Sequence, residues 1–86
     1  MRLMYKVESS TLFQTLTAEV YADDSLEAFI KAIGMIHPYT TFLAISVANI
    51  ESPTFEPICR IRGNNRTMPA KLGAQLTKFL KNSHYE

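Results

Sequence analysis

The hydrophobic period of this chain changes abruptly at Asp23-Asp24. Up to Ala22 apolar and polar residues alternate, whereas from Leu26 onward apolar residues recur at intervals of three and four. A strand buries every second side chain and a helix gathers i, i+3, i+4 and i+7 into one stripe, so a change of period marks a change from sheet to helix. The same change recurs near Pro69. A short chain that makes this change twice is restricted to a few ways of laying helices on a sheet.

Leu3, Tyr5 and Val7 alternate with Arg2, Lys6 and Glu8, which predicts a first strand over residues 2–8. The polar link Glu8-Ser9-Ser10-Thr11 reads as a hairpin connection. It is followed by alternation from Leu12 to Ala22, with Leu16, Ala18, Val20 and Ala22 on one side and Thr15, Thr17, Glu19 and Tyr21 on the other. Asp24-Ser25-Leu26-Glu27 fits a capping box, in which Asp24 accepts from the first-turn amides and Glu27 reaches back. The helix stripe is Leu26, Phe29, Ile30, Ile33 and Ile36, and Gly34 with Pro38 marks its end. Tyr39 to Ile50 is rich in Thr, Phe, Ile and Val and apolar on both alternation sets, which predicts a central strand.

Beyond Ser52-Pro53-Thr54, the segment Ile58–Arg62 turns Cys59 and Ile61 inward and Arg60 and Arg62 outward, and Pro57 favours an edge position or a strand start. Gly63-Asn64-Asn65 forms a turn from residues that tolerate positive φ. Thr67 or Met68 before Pro69 opens a last helix, with Leu72, Leu76, Phe79 and Leu80 as its stripe. Residues 82–86 have no periodicity and are expected to fray. The order β-β-α-β-β-α predicts an α+β two-layer sandwich, with a four-stranded antiparallel or mixed sheet and two helices on one face. The other face is open, showing Arg2, Lys6, Thr15, Thr17, Glu19, Tyr21, Arg60 and Arg62 to solvent or to a second subunit.

The 86 residues are expected to form a single domain spanning 1–86, whose small core leaves stability marginal unless a partner or a second copy contributes. Cys59 is the one cysteine; its setting, Ile58-Cys59-Arg60-Ile61, fits a buried thiol and excludes an internal disulfide. His37 and His84 are isolated, so neither a catalytic acid–base pair nor a metal site is expected. The isolated Gly34, Gly63 and Gly73 offer no phosphate loop, and no cofactor is expected. No apolar run is long enough for a signal-peptide core or a membrane span, and the expected location is the cytoplasm.

Residues 1–51 carry three basic and six acidic side chains and residues 52–86 six and two, so a net charge of +1 conceals an acidic and a basic half. One cluster stands out: Arg60, Arg62 and Arg66 on a strand and its following turn, with Lys71 in the next helix. Guanidinium groups suit carboxylate or phosphate oxygens, so the cluster fits a partner-binding patch. It also fits a solvated edge whose charges prevent sheet-to-sheet association. A pI of 7.9 and the lack of aromatics interleaved with the basic residues weigh against nucleic acid.

Leu16-Thr17-Ala18-Glu19-Val20-Tyr21-Ala22-Asp23-Asp24-Ser25-Leu26-Glu27-Ala28-Phe29-Ile30-Lys31-Ala32 resembles the strand-then-helix opening of small phage and mobile-element proteins. In size and in its β-β-α-β start the chain is similar to some phage-encoded anti-CRISPR proteins. The resemblance covers the first half and rests on fold-determining residues, so it transfers no functional residue. The same stretch resembles the hairpin and helix of ubiquitin-like domains, but a helix ends this chain where those domains have a strand. The resemblance to phage proteins implies a non-enzymatic inhibitor in the host cytoplasm that occupies a surface of a larger host protein or defence complex. Its contact would be the open sheet face or the patch of Arg60, Arg62, Arg66 and Lys71. The alternative is a nucleic-acid-binding accessory protein that uses the same patch, as a homodimer.

Overall fold

The structure, a computed structural model, describes residues 2–49, 51 and 54–83. Its elements are β1 (Leu3–Ser10), β2 (Thr15–Ala22), α1 (Ser25–Ile33), β3 (Phe42–Ala48), β4 (Phe55–Arg62) and α2 (Met68–Ser83), in the predicted order. The four strands form one sheet of order β2-β1-β3-β4, antiparallel throughout. β3 is interior, as its two apolar faces require, and Pro57 lies on the edge strand β4.

Alternation fixes the faces. Tyr5, Val7, Val20, Ala22, Leu43, Ile45, Cys59 and Ile61 are buried together with Ala28, Phe29 and Ala32 of α1 and Met68 and Phe79 of α2, so both helices cover the same side. The Phe29 and Phe79 rings meet at 5.1 Å where the two helices touch. The smallest dimension, 17 Å, fits a sheet with helices on one side only. On the bare side the rungs run Glu19, Lys6, Ser46, Pro57; then Thr17, Glu8, Ala44, Arg60; then Thr15, Ser10, Phe42, Arg62.

Local differences from the sequence reading have physical causes. β1 continues through Ser10, and the polar segment expected to turn instead pairs with β2, while Leu12 and Phe13 make the turn. Of the expected α1 stripe, Phe29 is buried and Leu26, Ile33 and Ile36 pack against the core, but Ile30 is 54 % exposed, and Ala28 and Ala32 are buried instead because a helix lying close on a sheet needs small side chains at the contact. Asp24 caps α1 through a bond from the Glu27 amide (2.8 Å), but the Glu27 carboxylate reaches back to the amide of Asp23 (2.8 Å). Tyr39–Thr41 lie in the loop before β3, and β4 begins at Phe55. No glycine and no other described residue has positive φ, so the 63–65 turn is made differently from the expectation. Asn64 Oδ1 accepts from the amides of Arg66 and Thr67 (both 2.9 Å), and Thr67 Oγ1 accepts from the Asn64 amide (3.0 Å). That reciprocal cap leads into α2, which runs through Asn82 to Ser83; the rest of the expected frayed tail lies outside the described residues, as does His84.

Candidate functional site

Three loops meet at one end of the sheet. In the β1–β2 turn the Thr11 amide donates to the Gln14 carbonyl (2.9 Å), while Thr11 Oγ1 accepts from the amides of Phe13 (3.2 Å) and Gln14 (3.3 Å). These bonds fix a two-residue tip whose side chains have nothing to cover them, and Leu12 and Phe13 are 83 % and 94 % exposed. The α1–β3 loop is held from inside. Thr40, 2 % exposed, accepts the His37 amide at its hydroxyl (3.0 Å) and donates its own amide to the His37 carbonyl (3.0 Å). His37 Nδ1 accepts the Tyr39 amide (3.0 Å), which sets the Tyr39 ring 5.4 Å from the imidazole. The Thr41 amide then ties this loop to Ser10 (2.8 Å), and the Gly63 amide ties the β4–α2 turn to Thr41 (2.9 Å).

The result is an open groove of about 830 Å³, walled by Leu12, Phe13, Leu16, Met35, Ile36 and Tyr39, with Asn64 and Asn65 at its far lip. Five of the nine large hydrophobic residues exposed among the described residues line it, so the exposed apolar surface is gathered rather than scattered. Sequence reasoning missed this site. Its signal was the pair Leu12-Phe13 at a hairpin tip, two adjacent large apolar residues that alternation cannot bury together.

The basic cluster is partly assembled. Arg60 and Arg62 are exposed and share the Phe42 ring, at 5.8 and 4.8 Å from its centroid, which is cation–π range. The Lys71 ammonium donates to the Arg62 carbonyl, hooking α2 to the outer strand. Arg60, Arg62 and Lys71 line a hollow of about 250 Å³ together with Gln75 and Lys78. Arg66 stays in the turn, outside that hollow, and Lys78 takes the place the sequence reading gave it. The ion pairs between described residues lie elsewhere, Arg2 with Asp23 (3.8 Å) and Lys31 with Glu27 (3.4 Å), so these cations have no acidic partner among the described residues. The Phe42–Arg62 rung is the last of the sheet before the groove, but Arg60 and Arg62 point to the bare face, and none of these cations lines the groove itself.

Cys59 is buried, and desolvation pushes its thiol up to about 11, against a small opposing effect of a hydrogen bond with the Ile45 backbone. At neutral pH it is a protonated core side chain and not a nucleophile. The backbone amide of Asp23, and then Lys31, hold the Glu27 carboxyl below its ordinary value. Among the described residues no three His, Cys, Asp or Glu side chains converge as metal ligands, and no helix is long and apolar enough to cross a membrane. No protein-family model, curated protein or solved structure matches the chain.

Proposed function

We propose that this chain is a non-enzymatic binding protein that seats its apolar end on a larger protein, with Leu12 and Phe13 as anchors and Arg60, Arg62 and Lys71 as a charged rim. The observation that carries this reading is the hairpin tip: a phenyl ring 94 % exposed on a turn that three hydrogen bonds hold in place. A rigid, protruding aromatic loses little entropy on docking and fills a pocket on its partner, which is how interface anchors work. A protruding ring is less suited to enclosing a small ligand, which needs concave walls. The phage-like first half favours a host protein or defence complex in the host cytoplasm as the target.

The test is capture from nuclease-treated host lysate at moderate salt, comparing wild type with Leu12→Ser/Phe13→Ser and Arg60→Glu/Arg62→Glu. A stoichiometric complex is expected with the wild type. The tip variant should abolish it, since loss of an anchor costs about 2 kcal/mol or more, and the charge variant should weaken it. Retention of the same complex by the tip variant would remove the groove from the site.

A second reading has one observation in its favour. Arg60 and Arg62 over Phe42, and Lys6 5.3 Å from the Phe55 ring centroid, put cations beside aromatics on the bare sheet face. This pairing between strands is invisible to a scan along the chain, and it is the kind of surface on which single-stranded nucleic acid stacks. Nuclease-sensitive retention that falls steeply with salt and is lost in Phe42→Ala would select it.

A further inference from the structure

We propose that the chain self-associates through its β2 edge, pairing β2 antiparallel with β2 of a second copy so that the two sheets join across a two-fold axis at Ala18. The pairing shares only Leu16 with the groove and does not depend on what the groove binds.

The two edges of the sheet are unequally protected. On β4, Pro57 removes a donor, the register shifts opposite Ile45/Ser46, and Arg60 and Arg62 project as charges. Each of these obstructs a further strand. β2 pairs with β1 over all eight of its residues with no irregularity, contains no proline or lysine, and has Glu19 as its one charge. A lysine caps one carbonyl on each edge, Lys31 Nζ on Tyr21 (2.7 Å) and Lys71 on Arg62; each carbonyl keeps a second lone pair, so these contacts do not separate the two edges.

Which groups face outward follows from the turn. Thr11 and Gln14 are joined by a hydrogen bond from the Thr11 amide, and bonded and unbonded pairs alternate along an antiparallel ladder. The even residues of β2 therefore bond to β1, and Thr15, Thr17, Glu19 and Tyr21 turn their amides and carbonyls outward; the Lys31 bond to the Tyr21 carbonyl agrees.

Side chains opposite one another in a ladder share a face, so a two-fold pairing of β2 must keep odd with odd and even with even. Centring on Glu19 sets Glu19 against its own copy, and centring on Thr17 leaves Val20 and Tyr21 beyond the partner strand. Centring on Ala18 pairs Thr17 with Glu19, Thr15 with Tyr21 and Leu16 with Val20, extends over residues 15–21, and opposes no like charges. It also gives apolar or neutral neighbours to the two large exposed hydrophobics of this strand, Leu16 at 57 % and Tyr21 at 55 % exposure. The acids nearby are already engaged, Asp23 with Arg2, Glu27 with Lys31 and Asp24 at the helix N-terminus. The register centred on Ala18 is self-complementary, so the occupant it fits is a second copy of this chain.

Sedimentation equilibrium over a concentration series, together with disulfide trapping, tests this. At an unbonded antiparallel pair the Cα atoms are about 4.5 Å apart, within disulfide reach. Ala18→Cys should give a covalent dimer under mild oxidant, well ahead of Lys81→Cys, which lies on exposed α2, and of wild type with its buried Cys59. Thr17→Glu sets two carboxylate pairs across the axis and should raise the dimer dissociation constant roughly tenfold. Neither position lines the groove, so this experiment fails or succeeds apart from the proposed function. A monomer at all concentrations up to about 1 mM would overturn it. So would a dimer that Thr17→Glu leaves unchanged and Ala18→Cys does not trap.

Discussion

Gly63 illustrates how far a residue type can be read without its surroundings. Glycine in a turn suggests positive φ, yet the backbone there is ordinary, and what needs the missing side chain is distance: a Cβ at Gly63 would stand 2.8 Å from Thr67 Oγ1. That hydroxyl accepts the Asn64 amide in the cap of α2, so Gly63→Ala is expected to displace it. The cost should be that of one hydrogen bond, about 0.5–1.5 kcal/mol in a urea titration, with the fold retained. Asp24, by contrast, was legible with its role, because a cap is local and its partner is three residues away. Cys59 was legible as a core thiol, and its burial has a pH consequence. The unfolded thiol ionises near 9.0 and the folded one near about 11, so the neutral form is favoured in the fold. The resulting contribution is complete below pH 9.0 and lost as pH rises toward about 11. Stability measured across that interval should fall, and a thiol reagent at pH 8 should label the unfolded chain far faster than the native one.

At the scale of elements, every helix and strand could be placed from periodicity, and the failure was rotational. Spacing assigns Leu26, Phe29, Ile30, Ile33 and Ile36 to the stripe of α1; all but Ile30 pack on the core, and the closest contact is made by Ala28, Phe29 and Ala32. Periodicity reports an apolar arc but not which part of it lies closest to the partner, and close approach selects alanine. Two substitutions one position apart should therefore behave very differently. Phe29→Ala removes a fully buried ring that packs on Phe79 and should cost about 3–5 kcal/mol, enough to unfold a marginal domain. Ile30→Ala, at a side chain more than half exposed, should change the unfolding free energy by no more than about 0.5 kcal/mol. Equal effects at the two positions would mean that α1 is rotated from the orientation described.

Over the whole molecule, the strand order converts a division of the sequence into a division of space. Because β2 and β4 are the edges, the acidic half of the chain lies along β2 and α1 and the basic half along β4 and α2. The basic strip was legible in part because Arg60 and Arg62 alternate on one strand. The groove was not, because its walls come from residues 11–16, 35–41 and 64–65, segments that only the ladder bonds at Ser10, Thr41 and Gly63 bring together. Whether those walls are there for the fold or for a partner is decided by a stability measurement. Leu12 and Phe13 make their turn through Thr11, not through their own side chains, so Leu12→Ser/Phe13→Ser should leave the unfolding free energy within about 0.5 kcal/mol of wild type. Exposed apolar side chains that contribute nothing to folding weaken solubility, so the same variant should remain soluble at higher concentration and bind less of a hydrophobic dye. A loss of about 2 kcal/mol instead would show that the tip folds back onto the sheet as core, and the anchor role would pass to the rim of Arg60, Arg62 and Lys71.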